Sequence, residues 1–138
     1  MQKLFTYALL FSFLILNSCK TTAQKSIYGT DSKSAIKNFK KGREAFSNSR
    51  NNKSLLVDAE KYTQKALKKD PEFLNAMMLM AEIEIAKGNT EKAIFYKEKA
   101  LRINPEFSKN EYYYVAQMQM RTGQYAGCKR NAQKFLNY

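Results

Sequence analysis

Histidine and tryptophan are absent from the 138 residues, and cysteine and proline occur only twice each. Without histidine the chain lacks the commonest general base near neutral pH and the commonest metal ligand. Cys19 and Cys128 cannot build a disulfide framework, and no cysteine cluster has zinc-site spacing. Two prolines and five glycines are too few turn signals for a sandwich or barrel of many short strands. No nucleophile stands beside a base and no glycine-rich phosphate loop occurs. Glu82 and Glu84, two apart on a helix, lean to different faces rather than facing one another as an acid/base pair. These absences argue against an enzyme and against a bound metal or cofactor. The composition, 44% hydrophobic and 26% charged, is that of one globular domain. Twenty-four Lys and Arg against 12 Asp and Glu give a net charge of +12 and favour an anionic neighbour.

The first two dozen residues have a different character. Lys3 precedes an almost wholly apolar run from Leu4 to Leu16, followed by Asn17-Ser18-Cys19-Lys20. A positive start, a short apolar stretch and a small-residue end make a secretory signal peptide. The run is shorter than the ~20 residues that span a bilayer comfortably. Leu16-Asn17-Ser18-Cys19 resembles the bacterial lipobox, with Asn17 as a departure at its middle position. That resemblance implies cleavage before Cys19, lipidation of Cys19 and, since Lys20 is not Asp, a place on the outer membrane; the lack of an acidic run after Lys20, which resemblance links to surface export, favours the periplasmic side. Two other routes stay open: cleavage after Thr21-Thr22-Ala23, which releases a soluble protein, and an uncleaved anchor. Residues 1–18 are thus expected to be a signal peptide and residues 19–31 a polar tether.

The remainder, 32–138, is organised by a repeat. Lys65-Ala66-Leu67-Lys68-Lys69-Asp70-Pro71-Glu72-Phe73 returns as Lys99-Ala100-Leu101-Arg102-Ile103-Asn104-Pro105-Glu106-Phe107, each residue 34 positions on. Between the prolines lie Ala81, Gly88 and Ala93. This set resembles the tetratricopeptide repeat, strictly in the middle repeat and approximately outside it. Small residues at Ala81, Ala93 and Ala100 let two helices approach, and Gly88 suits the turn between them. Asp70 and Asn104, each followed by Pro and Glu, read as helix N-caps. A first repeat with Ile36, Phe39, Gly42, Ala45 and Phe46 on its first helix carries a five-residue insertion around Ser47–Lys53. A third, with Tyr114, Val115, Met118, Gly123, Cys128, Ala132, Phe135 and Leu136, has one extra residue before Gly123. The expectation is an all-α, right-handed superhelix of about three repeats (32–70, 71–104 and 105–138), with helices near 32–48, 54–69, 71–87, 90–103, 106–122 and 124–137. The layout also resembles the N-terminal module of larger Bacteroidetes envelope proteins.

The resemblance implies a protein- or peptide-binding groove along the first helix of each repeat. Its stations map to Asn75, Met78, Glu82 and Ile85 in the second repeat, and to Lys109, Tyr112, Ala116 and Gln119 in the third. The strip is mixed in polarity and does not suit clamping of a terminal carboxylate. Met77, Met80 and Tyr114 are expected in the core, Met78 and Tyr112 at least partly toward a partner, and Cys128 buried in a small-residue slot. Lys61, Lys65, Lys68, Lys69, Lys92, Lys97, Lys99, Arg102, Lys129, Arg130 and Lys134 all fall on second helices. Loss of residues 1–18 removes only Lys3 from the 24 basic residues, leaving 23 against 12 acidic ones, a net +11. That side could rest on anionic lipid or cell-wall polymer or be simply solvated. Nucleic acid is not expected as a partner of an exported chain without a base-reading motif. The expected function is an exported lipoprotein adaptor or scaffold. A soluble periplasmic protein, and a peripheral protein that binds anionic lipid or polymer, are the alternatives. Phe135 and Leu136 near the last helix end also allow self-association or further domains.

Overall fold

The computed structural model describes residues 29–138; the expected signal peptide, Cys19 and the expected tether as far as residue 28 lie outside the described residues. Among the described residues the chain is all-α. Six helices follow one another: α1 (Lys33–Asn48), α2 (Leu55–Lys69), α3 (Leu74–Ala86), α4 (Thr90–Ile103), α5 (Lys109–Arg121) and α6 (Tyr125–Leu136). They pair most extensively as α1 with α2, α3 with α4 and α5 with α6, and lesser contacts join α2 to α3, α4 to α5 and α1 to α3. No helix among the described residues is long and apolar enough to cross a membrane.

Local chemistry explains the element ends. Ser32 caps α1, its Oγ accepting the Ala35 N–H at 3.2 Å. The first helices of the second and third hairpins close in the same way. The Asn89 N–H donates to the Glu84 carbonyl across Gly88, and the Gln124 N–H to the Gln119 carbonyl across Gly123, both at 2.8 Å. The intervening glycines sit at φ +81° and +74°, the left-handed conformation that such a helix end requires.

Asp70 and Asn104 play a part other than the expected one. Each ends a helix, and its side-chain oxygen accepts the N–H two residues on, Glu72 at 2.9 Å and Glu106 at 3.1 Å. These are Asx turns. The prolines therefore lie in the connections, and α3 and α5 begin later than expected, after Phe73 and Ser108.

Each hairpin closes through small side chains. Ala35, Gly42, Ala59 and Ala66 are buried in the first, Ala81, Ala93 and Ala100 in the second, Ala116 and Gly127 in the third. Between hairpins the contacts are large. Phe73 is fully buried, its ring 5.0 Å from that of Phe39, and it forms a core with Leu79 and Ile83. Leu74, Met77 and Ala100 make a second cluster, and Ile94, Leu101, Tyr112 and Val115 a third. Met77 and Met80 are buried as expected. Helix α3 touches α1, α2 and α4, so it is apolar almost all round rather than along one stripe.

One very tight approach, against backbone as well as side chain, is at Gly42. A Cβ there would stand 2.5 Å from Thr63 Oγ1 and 3.3 Å from the Ala59 carbonyl, and the Thr63 hydroxyl already donates to that carbonyl at 2.7 Å. Gly42→Ala should therefore lower stability by about 1–3 kcal/mol through overpacking. The loss is read as a shifted urea midpoint at constant slope, and Gly42→Ala/Thr63→Ala should recover part of it.

Candidate functional site

Two clefts run along the first helices. The one between α1 and α3, about 670 Å³, has Phe39, Phe46, Met78 and Leu79 for apolar lining and Arg43, Arg50, Asn75 and Glu82 as polar groups. The other, between α3 and α5, is about 580 Å³ and is lined by Glu82, Ile85, Tyr114, Gln117, Met118 and Arg121, among others. Glu82 belongs to both and makes them neighbours. Lys97 and Glu111 lie in the second cleft as an ion pair of 2.5 Å linking α4 to α5. Lys97 was expected on the basic outer side. It is buried because Glu111, 14 residues on, offers it a carboxylate across the hairpin boundary.

Asn75, Met78, Glu82 and Ile85 line these clefts. Lys109, Tyr112, Ala116 and Gln119 do not. Tyr112 is only 2% exposed, Ala116 and Gln119 are buried, and the Lys109 ammonium lies 5.1 Å from the centre of the Phe135 ring. The cause is a one-residue shift. Helix α3 begins at Leu74, three residues after Pro71, whereas α5 begins at Lys109, four after Pro105. The extra residue sits in the connection, so every station of α5 is 35 rather than 34 positions beyond its counterpart. Met77 then corresponds to Tyr112, Ala81 to Ala116, Glu82 to Gln117, Glu84 to Gln119 and Gly88 to Gly123. On a helix one residue is a 100° rotation, which turns Tyr112 inward and Tyr114 outward. Tyr114, expected in the core, is 49% exposed and lines the second cleft. Cys128, expected to be buried, is half-buried.

Applied to α1, the same spacing would have found Arg43. It follows the small residue Gly42 as Glu82 follows Ala81 and Gln117 follows Ala116. Neither Arg43 nor Arg50 forms an ion pair among the described residues.

Beneath the clefts, polar side chains fix the helices. Gln119 donates to Glu98 at 3.0 Å and accepts from Asn131 at 2.8 Å, and Asn131 also reaches Glu98, so α4, α5 and α6 meet in one network. At the corresponding station Glu84 accepts from Asn89 at 2.7 Å and pairs with Lys87, which bonds Glu60 of α2 at 2.8 Å. Hydrogen bonding to Glu60 raises the Lys87 pKa, with the charges of Glu60 and Glu84 adding to it against desolvation. A raised folded-state value means that this contribution is full below the ordinary lysine pKa and is lost as pH rises through the folded one. The Tyr112 and Tyr138 hydroxyls both donate to the Pro105 carbonyl, at 3.2 and 2.7 Å. Burial, then the charge of Glu106, raises the Tyr112 pKa, which keeps its hydroxyl a donor.

No group of His, Cys, Asp and Glu able to hold a metal occurs among the described residues. The clefts offer recognition surface: aromatic and Met side chains, three guanidinium groups and two amides. No protein-family model matches the chain, and no curated protein compared with it matches its sequence significantly.

Lys97→Met should cost about 2–4 kcal/mol, because it strands the Glu111 carboxylate. Lys97→Met/Glu111→Leu should restore most of that loss in denaturant unfolding, and equal stability of the two variants would refute the coupling.

Proposed function

We propose that this chain is a tetratricopeptide-repeat protein of three repeats. On this reading it is exported as a lipoprotein through Cys19 and binds an extended segment of another protein along α1, α3 and α5. It then serves as an adaptor or assembly scaffold at the bacterial outer membrane. The observation that carries the reading is the recurrence of one set of stations in successive hairpins. Small residues stand at Gly42, Ala81 and Ala116, a polar residue follows each on the cleft side, and left-handed glycines stand at Gly88 and Gly123. These stations, joined by connections whose sequences repeat at 34 residues from Lys65–Phe73 to Lys99–Phe107, fit a helical-hairpin array. Open clefts lined by both apolar and polar side chains along successive first helices suit a peptide better than a small molecule. The signal peptide and Leu16-Asn17-Ser18-Cys19 support the export and anchoring half.

A photoreactive residue in place of Gln117 should crosslink a partner in intact cells. The adduct should fall at least tenfold when Ile85→Glu/Tyr114→Glu is added, both sites being half-exposed and outside the core. The same probe at Phe95, exposed on α4 and outside both clefts, should give no adduct that depends on those substitutions. Adducts at Gln117 that survive the double substitution would contradict cleft binding. Labelled palmitate should enter the wild type and not Cys19→Ala; label-free processing of the wild type would instead favour release after Ala23.

A further inference from the structure

We propose that the outer faces of α1 and α2 dock on an anionic phospholipid surface, a role separate from the clefts. Lys33, Lys37 and Lys41 recur every four residues on α1 and so share one stripe, and Lys65 and Lys69 do the same on α2; all five are exposed. The stripes meet at Tyr62, whose ring centre is 5.5 Å from the Lys41 ammonium and 5.6 Å from that of Lys65. Two cations of adjacent helices thus converge on one amphipathic ring, an arrangement suited to the boundary between headgroups and water. None of the five lysines is ion-paired among the described residues. The carboxylates of α1 and α2 are only Glu44, Asp58 and Glu60, and Lys87 holds Glu60. A cationic face left uncompensated keeps its attraction for an anionic surface, each well-placed lysine giving about a fivefold gain in partitioning.

The position of this face selects the occupant. Helix α1 is where the chain enters the described fold, and ahead of α1 lie 32 residues that include the apolar run Leu4–Leu16. From Cys19 to Ser32 the extended chain reaches at most roughly 45 Å. A bilayer that holds the N-terminal segment therefore lies within reach of α1. Only this tether length rests on lipidation at Cys19. The charge pattern does not.

Lysine acylation followed by mass spectrometry tests the proposal on the full chain, reconstituted with vesicles of phosphatidylcholine or of phosphatidylcholine with 30% phosphatidylglycerol. Lys33, Lys37, Lys41, Lys65 and Lys69 should react at least threefold more slowly on the anionic vesicles. Lys92 and Lys129, exposed on α4 and α6, should be unchanged. The protection should vanish in about 0.5 M salt, where the screening length falls to roughly 4 Å. It should vanish for Lys33 and Lys69 also in Lys37→Glu/Lys41→Glu/Lys65→Glu. Equal reactivity on both vesicles would overturn the proposal, as would protection spread over α4 and α6, or protection by soluble polyglutamate but not by vesicles. None of these outcomes involves the clefts, so the two readings fail separately.

Discussion

Two helices can lie against each other at short range only where the side chains between them are nearly absent. That constraint sets the rest of this molecule. Gly42 faces Thr63 and Ala59 with no room for a methyl group, and Gly127 similarly faces Gln119. Once the small residues occupy the seam of each hairpin, the larger ones are displaced to its flanks. On one flank Phe73, Met77, Leu101 and Tyr112 bury themselves against the next hairpin. On another, Met78, Ile85 and Tyr114 remain in contact with solvent and become the walls of clefts. Core and candidate binding surface are two consequences of one packing choice.

Polar groups inside the structure act at the junctions between hairpins. Gln119 and Asn131 are buried, yet their amides meet each other and Glu98, and no buried side-chain polar atom among the described residues lacks a partner. Such a network discriminates between registers. Rotating α5 by one residue would put Met118 or Met120 where Gln119 stands and leave Asn131 and Glu98 with unmet demand. The Lys97–Glu111 pair adds a second constraint of the same kind between α4 and α5. Apolar packing holds the hairpins together, and hydrogen bonds fix how they face.

Much of this was legible in the chain itself. The duplicated Lys65–Phe73 and Lys99–Phe107 segments marked two equivalent connections, and Gly88 and Gly123 marked the turns. The rotation of α5 was not legible. Tyr112, Tyr113 and Tyr114 are chemically alike, so periodicity cannot say which one faces inward. A single extra residue between Pro105 and Gly123 could have been placed in the loop or inside the helix. Placing it in the loop brings Gln119 into line with Glu84, a match between two polar residues at a core station that a search for apolar periodicity passes over. Lys97 was misjudged for a related reason, since a lysine on a second helix looks solvent-facing until its partner on another element is known. Asp70 and Asn104 carry N-cap chemistry, yet each uses its side chain for an Asx turn across the proline before the next helix begins.

The inward turn of Tyr112 and the outward turn of Tyr114 are the points on which the account of the clefts rests. Nitration of the native chain, followed by peptide mass spectrometry at low conversion, reads both in one experiment. Tyr113 and Tyr114, each nearly half exposed, should be nitrated at least ten times faster than Tyr112. Denaturant should erase the difference. If Tyr112 instead reacts as fast as its neighbours in the folded chain, or Tyr114 is protected without a partner, the register of α5 and the cleft built on it are wrong.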